Sequence, residues 1–137
     1  MTTVPSPLVV DASVVVAALL DEGPAGAWAA ETMRGRFLVG PAHLPVEVAS
    51  ALRRLAASGA VSADAAALAH ADLLDLRVQA YPYAPFGERV WALRSVASAY
   101  DAAYVALAEA LEVPLATLDA RLARTPGVAC ALKTWEA

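Results

Sequence analysis

A short apolar run that ends on a carboxylate constrains the fold of this chain more than any other feature. Residues 8–10 read Leu-Val-Val, Asp11 follows directly, and Ser13 comes two positions later. The run has the length and β-branched content of a strand. Because helical patterns surround it and no polar residue interrupts it, we expect a strand buried on both faces, as in a parallel sheet. Asp11 then lies at the carboxyl end of that strand, where ligands of open parallel sheets bind.

Short apolar segments and helical patterns alternate along the rest of the chain. Strands are predicted at residues 8–11, 37–39, 78–81, 115–118 and 128–132, after an irregular lead-in over residues 1–7. Helices are predicted at residues 12–20, 25–34, 43–58, 63–76 and 86–98, between Asp101 and Pro114, and at residues 120–124. This alternation predicts one α/β domain over residues 1–137, a three-layer α/β/α arrangement with a mostly parallel sheet of four to five strands.

The composition fits a domain with a real core and argues against a membrane protein. Of the 137 residues, 59% are hydrophobic, yet no window of 18 uncharged apolar residues exists, so we expect no membrane span. The first residues lack the basic region and apolar core of an export signal. The single cysteine, Cys130, cannot form an internal disulfide and is typical of a small buried residue in a reducing compartment. We therefore expect a cytoplasmic protein that does not bind a membrane.

Four carboxylates occupy positions that the predicted topology brings to one rim of the sheet. Asp11 and Asp119 end strands. Asp101 begins the helix that leads toward the strand before Asp119, and Glu47 lies one turn into another helix. A single Asp before a helix is usually an N-cap, and a Glu within a helix is usually solvated. The shared rim favours a site instead, because helix N-termini there help to keep neighbouring carboxylates ionised.

These oxygen donors indicate a hard divalent cation. Mg²⁺ and Mn²⁺ prefer carboxylate and water ligands, whereas zinc would need a His or Cys cluster, and His43 and His70 are expected to be isolated structural or surface residues. The net charge is −4, from 14 acidic and 10 basic residues, and it falls to zero without the four carboxylates. The acidity is thus consistent with one cation-attracting pocket. Paired metals in such pockets, about 3.5–4 Å apart, hydrolyse phosphodiesters in line.

Other catalytic arrangements find little support in the sequence. No Gly-rich loop follows the first strand, which argues against a dinucleotide or P-loop fold, and no serine lies on a nucleophile elbow. Ser13 could orient Asp11 or a metal-bound water, or simply be a hydroxyl in the first turn of a helix. There is no strong basic footprint, so a nucleic-acid substrate would depend on metal ions and arginines. The candidate arginines are Arg53, Arg54, Arg94 and Arg121.

The order and spacing of the four acidic segments resemble those of the PIN-domain nucleases, and most closely the VapC-type toxins of bacterial toxin–antitoxin pairs. The matching segments are residues 9–13, 44–52, 100–108 and 114–119, and their acidic residues are 36, 54 and 18 positions apart. Each segment is weak by itself, but together they are fairly specific. The resemblance extends over nearly the whole chain.

The resemblance implies an endoribonuclease that depends on Mg²⁺ or Mn²⁺ and has a five-stranded parallel sheet. It assigns the acidic quartet to Asp11, Glu47, Asp101 and Asp119, as both catalytic and metal-binding residues, with Ser13 as a supporting hydroxyl. It further implies an RNA substrate, a homodimer, and a cognate VapB-type antitoxin that lays a C-terminal peptide over the acidic groove. The high apolar content of the chain would suit such protein interfaces.

Three other functions stay open at this point. The first is a PIN-type nuclease of RNA processing without an antitoxin, and the second is a catalytically inactive binding member of the same fold. The third is a phosphoacceptor signalling domain, which needs an acidic pair after the first strand and a lysine near the last one. Here Ala12 follows Asp11, and Lys133 lies beyond the last predicted strand.

Overall fold

The computed structural model describes residues 4–136, and within them five strands form one all-parallel sheet. The strands are β1 (Pro7–Val10), β2 (Phe37–Pro41), β3 (Gln79–Tyr81), β4 (Leu115–Ala116) and β5 (Leu132–Lys133). Their order across the sheet is β3-β2-β1-β4-β5, so β1 lies at the centre between β2 and β4. Leu8, Val9 and Val10 of β1 are fully buried, as the uninterrupted apolar run predicts. The predicted α/β class and parallel sheet are confirmed.

The helices cover both faces of this sheet. They are α1 (Ala12–Leu20), α2 (Pro24–Met33), α3 (Leu44–Ala57), α4 (Ala63–Asp75), α5 (Gly87–Ala92), α6 (Ala99–Leu111) and α7 (Ala120–Ala123). Helix α1 contacts α2, α3 and α4, whereas α5 contacts α6. This is the grouping expected when right-handed crossovers place α1–α4 on one face and α5–α6 on the other. Helix α6 contacts β1, β2 and β4 and is buried on all sides from Ala102 to Ala108, as its apolar sequence requires. No helix within residues 4–136 is long and apolar enough to cross a membrane.

Several predicted boundaries agree with the structure. Helix α1 occupies residues 12–20 as predicted, and Ser62 caps α4 by accepting a hydrogen bond from the Ala65 amide.

Strand β2 extends through Gly40 and Pro41, which were expected to end it. Pro7 belongs to β1 rather than to the predicted lead-in, which is irregular at residues 4–6. The rest of that lead-in, residues 1–3, lies outside the described part of the chain.

Three predicted elements are wrong in extent. The strand expected at residues 115–118 ends at Ala116, and the Leu118 amide donates to the Ser13 hydroxyl instead of to a neighbouring strand. The helix expected at residues 86–98 ends at Ala92, because tight turns over residues 93–97 follow it and Ser98 then caps α6. The last strand was expected at residues 128–132 but forms at residues 132–133. Side chains of α5 and α6 form hydrogen bonds with the backbone of Gly127 and Ala129. The chain therefore pairs with the sheet only from residue 132. Lys133 therefore lies within β5 and not beyond the last strand.

Candidate active site

The centre of the sheet contains a topological switch point between β1 and β4. The chain leaves β1 toward β2 on one side and leaves β4 toward β5 on the other, so the two connections diverge. Such a divergence opens a crevice at the carboxyl ends of the two strands, where ligands of α/β sheets bind. Asp11 follows β1 directly and Asp119 follows β4 by three residues, so both residues lie at this end of the two strands.

Asp11 is a buried carboxylate at the start of α1, with 5% of its surface exposed. It is the N-cap of that helix and accepts a hydrogen bond of 3.1 Å from the Val14 amide. The Ser13 hydroxyl donates to its Oδ1 over 2.5 Å, and the Thr117 hydroxyl donates to its Oδ2. Burial raises the pKa of Asp11 above its usual range, and these donors oppose the shift by stabilising the charged form.

Two hydroxyls connect Asp11 to Asp119 across the switch point. The Thr117 oxygen, which donates to Asp11, accepts the Asp119 amide at 2.9 Å, and the Ser13 oxygen accepts the Leu118 amide at 3.0 Å. Asp119 in turn caps the short helix α7. Ser13 therefore supports Asp11 by direct contact. Thr117 was not predicted; the available signal was a hydroxyl side chain two residues before a strand-ending carboxylate.

Asp101 lies in the first turn of α6, and Ser98 is the N-cap, so the N-cap alternative for Asp101 is wrong. The Arg121 guanidinium lies close to both Asp119 and Asp101: its Nη2 is 3.5 Å from Asp119 Oδ2 and 3.9 Å from Asp101 Oδ2. Burial raises the pKa of Asp101, and the negative charges of Asp119 and Glu47 raise it further while Arg121 opposes them. The charges of Asp119 and Glu47 therefore act on Asp101 through space, and the charge of Asp119 also contributes to the raised pKa of Asp11.

Glu47 lies in the first turn of α3, and aromatic side chains surround its carboxylate. The Tyr104 hydroxyl of α6 donates to Glu47 Oε1 over 3.0 Å, so α3 and α6 meet at the site. Burial and the Glu47 charge raise the pKa of Tyr104, which keeps it a neutral donor. His43 Nε2 lies 2.9 Å from the same oxygen but lacks the alignment of a hydrogen bond. The prediction of an isolated His43 is wrong, because it also contacts the rings of Tyr100 and Tyr104.

Two adjacent cavities open beside Glu47. The first, about 560 Å³, is lined by α1 and α3 residues that include Ser13, and the second, about 420 Å³, is lined by Asp101 and Arg121. Glu47 and Arg54 line both, so Arg54 and Arg121 are the candidate arginines that the structure brings to the carboxylates. Asp11 and Asp119 line neither cavity. The other two candidates, Arg53 and Arg94, line neither of these cavities.

The chemistry of these side chains fits a divalent cation, although their placement does not yet form a coordination shell. Every candidate ligand is a carboxylate or hydroxyl oxygen, the donor type that Mg²⁺ and Mn²⁺ prefer. Asp11 and Asp101 have raised pKa values because burial and neighbouring acids disfavour their charge, and a cation would relieve both effects. Within residues 4–136, no three His, Cys, Asp or Glu side chains are close enough to hold one ion as they stand.

Comparison with known proteins gives consistent matches over most of the chain. The PIN domain family matches residues 8–128. Ribonuclease VapC12 of Mycobacterium tuberculosis is 42% identical over 120 residues, which is 88% of this chain and 92% of that protein. Ribonuclease VapC1 of the same species is 41% identical over 126 residues, covering 91% and 95%.

The fold also matches a solved structure. VapBC2 from Rickettsia felis, bound to a DNA fragment from the promoter of its own genes, has a chain that superposes with a TM-score of 0.66. The superposition covers 95% of this chain and 99% of that one at 12% identity, so it bears on the fold alone. The PIN domain match spans all four candidate carboxylates, from Asp11 to Asp119.

Proposed function

This chain belongs to the PIN-domain family, and on that premise we propose that it is a VapC-type toxin, an endoribonuclease that hydrolyses RNA phosphodiester bonds with Mg²⁺ or Mn²⁺. The relatives named as VapC ribonucleases match at 41–42% identity over about nine-tenths of the chain. The observation that carries the proposal is geometric: Arg121 Nη2 lies 3.5 Å from Asp119 and 3.9 Å from Asp101, and Asp101 lines one cavity together with Glu47. These three carboxylates are far apart in sequence, and their proximity supports the proposed acidic site at the carboxyl rim of the sheet.

The proposed metal ligands are Asp11, Glu47, Asp101 and Asp119. When bound, divalent cations supply Lewis-acid stabilisation of the charge that develops on the phosphate. The remaining contributions come from the protein itself. Ser13 and Thr117 fix the orientation of the Asp11 carboxylate, and the Tyr104 hydroxyl fixes that of Glu47. Such fixed orientations keep the reacting groups from reorganising during the reaction.

Arg121 and Arg54 have a different proposed role. A bare ring of carboxylates repels a phosphate backbone, and an arginine beside it reverses that repulsion locally. Arg121 is well placed for this, because its guanidinium lies near both Asp101 and Asp119 and its side chain is 82% exposed. Arg54 lines both cavities and is oriented by a 3.0 Å hydrogen bond from Nη1 to Ser50 Oγ.

RNA cleavage in the presence and absence of Mg²⁺ or Mn²⁺ tests the enzymatic part of this proposal. Wild-type protein is expected to cut RNA only with a divalent cation, whereas Asp11→Asn and Asp101→Asn are expected to lose at least about 100-fold in rate. Asp64→Asn, an exposed acidic residue of α4, is the matched control and should cut like wild type. If both site variants cut as fast as wild type, the assignment of the quartet is wrong.

The proposed protein partners are a VapB-type antitoxin and a second copy of this chain, and the proposed location is the cytoplasm. The name of the Rickettsia felis complex joins a VapC to a VapB, which is the basis for the antitoxin. The apolar cavity beside Glu47, between α1 and α3, offers surface to its peptide. Co-purification with the product of a small neighbouring reading frame, and inhibition of cleavage by it, would support the toxin. An active nuclease with no such inhibitor would favour an RNA-processing enzyme instead.

A further inference from the structure

The second cavity has an exposed aromatic side that the carboxylate chemistry does not use. It lies between the first half of α3 and the start of α6, with Glu47, Asp101 and Arg121 among its polar lining. Val46 and Tyr100 line it as well, and they are 71% and 62% exposed. Metal binding needs neither side chain. Two large apolar side chains that stay in solvent beside an acidic site therefore call for another explanation.

Tyr100 is exposed, but one edge of the aromatic cluster behind it packs against its ring. Its ring lies edge-on to His43, with centroids 5.6 Å apart, and His43 lies edge-on to Tyr104 at 5.3 Å. Tyr104 is buried, with 1% of its surface exposed, so three rings connect the core to the cavity. Edge-to-face contacts of this kind favour one ring orientation. The chain thus holds an aromatic surface in a defined place without burying it.

The two sides of the cavity match the two chemistries of a nucleotide. Arg121 and Arg54 lie with the carboxylates and suit a phosphate. The uncharged ring of Tyr100 is adjacent in sequence to Asp101 and suits a nucleobase, because unstacked bases of single-stranded RNA bind by stacking on aromatic side chains. Ser50 and Ser98 also line the cavity and can hydrogen-bond to the edge of a base.

We propose that this cavity binds the nucleobase of a nucleotide adjacent to the scissile phosphate of single-stranded RNA, with Tyr100 as its stacking surface. This inference rests on the proposed ribonuclease function and goes further, because it assigns a base subsite and the residue that forms it. A stacked base positions its own phosphate at the carboxylates. Loss of the ring should therefore weaken substrate binding rather than destroy the cleavage chemistry.

The test combines variants of the protein with abasic RNA. Sites cut by the wild type are first mapped on a long mixed-sequence RNA, and short single strands around one cut are synthesised with an abasic unit at each flanking position in turn. Tyr100→Ala is expected to lower kcat/KM about tenfold, mainly through KM, the equivalent of about 1.4 kcal/mol for one stacked base. Tyr100→Phe should behave like wild type, because it retains the ring.

Tyr83→Ala is the matched control, because Tyr83 is 57% exposed and lies outside both cavities at the site. One abasic position should slow the wild type about tenfold but slow Tyr100→Ala by less than about twofold, since the lost ring and the lost base form one contact. Independent, multiplicative losses would overturn the subsite and leave the nuclease intact. The subsite would also be overturned if Tyr100→Ala cleaved RNA like Tyr83→Ala. The same holds if Tyr100→Ala has a lower mass in solution than the wild type, because the ring would then join two copies of the chain. A wild type that cuts no RNA would overturn the proposed function itself.

Discussion

At the scale of single residues, Asp101 is held in the folded protein against electrostatic repulsion. Burial disfavours its charge most, since only 28% of the side chain is exposed. Asp119 and Glu47 also repel that charge, and Arg121 attracts it from 3.9 Å. The net effect is a raised pKa, which means that the folded protein disfavours the ionised carboxylate. Carboxylates whose ionised form is destabilised by the folded protein are typical of functional sites, where activity is kept at some cost in stability.

Replacing this charge should therefore stabilise the protein when no cation is present. We expect Asp101→Asn to raise the free energy of unfolding by up to about 1 kcal/mol in EDTA, a modest gain because the side chain is partly solvated. Added Mn²⁺ should raise the Tm of the wild type, by binding the folded state, and raise that of Asp101→Asn less. Thermal unfolding with and without Mn²⁺ measures both effects. Equal Mn²⁺ shifts in the two proteins would remove Asp101 from the proposed ligands.

Thr117 has the opposite role, because its hydroxyl stabilises a charge. The side chain is fully buried, donates to Asp11 and accepts from the Asp119 amide. Thr117→Val keeps the shape but leaves both partners unsatisfied, so we expect a loss of about 2–3 kcal/mol in urea unfolding. Thr117→Ser retains the hydroxyl and should lose less. Thr125→Val, which removes an exposed hydrogen bond to the Arg121 carbonyl, is the control and should cost under about 1 kcal/mol.

At the scale of secondary-structure elements, one ion pair joins α5, α6 and the segment before β5. Arg89 of α5 donates from Nε to Glu109 Oε1 over 2.7 Å and from Nη2 to Glu109 Oε2 over 3.1 Å. The same guanidinium donates to the Gly127 carbonyl, and Glu109 accepts the Ala129 amide. The Arg89 hydrogen bonds and the Ala129 amide lower the pKa of Glu109, because each of them stabilises the ionised carboxylate, while burial opposes the shift. Burial raises the pKa of the Cys130 thiol, and the negative charge of Glu109 raises it further.

The lowered pKa of Glu109 predicts a pH-dependent contribution to stability. The contribution is complete above the unfolded pKa of Glu, about 4.3, and is lost as the pH falls through the lower folded value. Glu109→Gln should therefore cost about 1–2 kcal/mol at pH 7 and less as the solution becomes more acidic. Urea unfolding at a series of pH values measures this. Glu88→Gln, at an exposed position of α5, should show no such trend, and a pH-independent loss in Glu109→Gln would contradict the prediction.

The same ion pair explains why the sequence predicts some elements better than others. Helix α1 could be predicted at its observed bounds because its limits are local: Asp11 caps it, and an acidic Gly-Pro break follows it. The start of β5 is not local, because Gly127 and Ala129 are held by side chains that lie 38 and 20 positions earlier in the chain. The periodicity of apolar residues and the helix or strand propensity of a segment carry no information about such distant partners.

At the scale of the whole molecule, the sequence predicted the acidic residues of the candidate site but not their surroundings. Strand order and helix starts suffice to bring Asp11 and Asp119 to the switch point, because all parallel strands end at one rim. From the sequence, Tyr104 could not be distinguished from an ordinary core residue, because α6 is apolar on every side. Only the position of α3 shows that the Tyr104 hydroxyl reaches Glu47. His43 depends on the same meeting of α3 and α6.

The distribution of charge over the molecule also limits how it can bind RNA. The net charge is −4, so attraction to the phosphate backbone must be local rather than general. Arg54 and Arg121 are the candidate arginines beside the carboxylates, and Arg53 lies outside both cavities although it is adjacent to Arg54 in sequence. Few phosphate contacts imply a weak dependence of RNA affinity on salt.

Replacing either of these two arginines should halve the dependence of RNA affinity on salt concentration. In single strands, each neutralised phosphate contributes a slope of about −0.7 to the logarithm of affinity against that of salt, so two contacts give about −1.4. Arg54→Gln and Arg121→Gln should each reduce the slope by about 0.7, whereas Arg53→Gln should leave it unchanged. Fluorescence anisotropy of labelled single-stranded RNA, in the Asp101→Asn background to prevent cleavage, measures the slopes. A steep slope that all three arginines share equally would mean that RNA binds across the surface and not at the carboxylate rim.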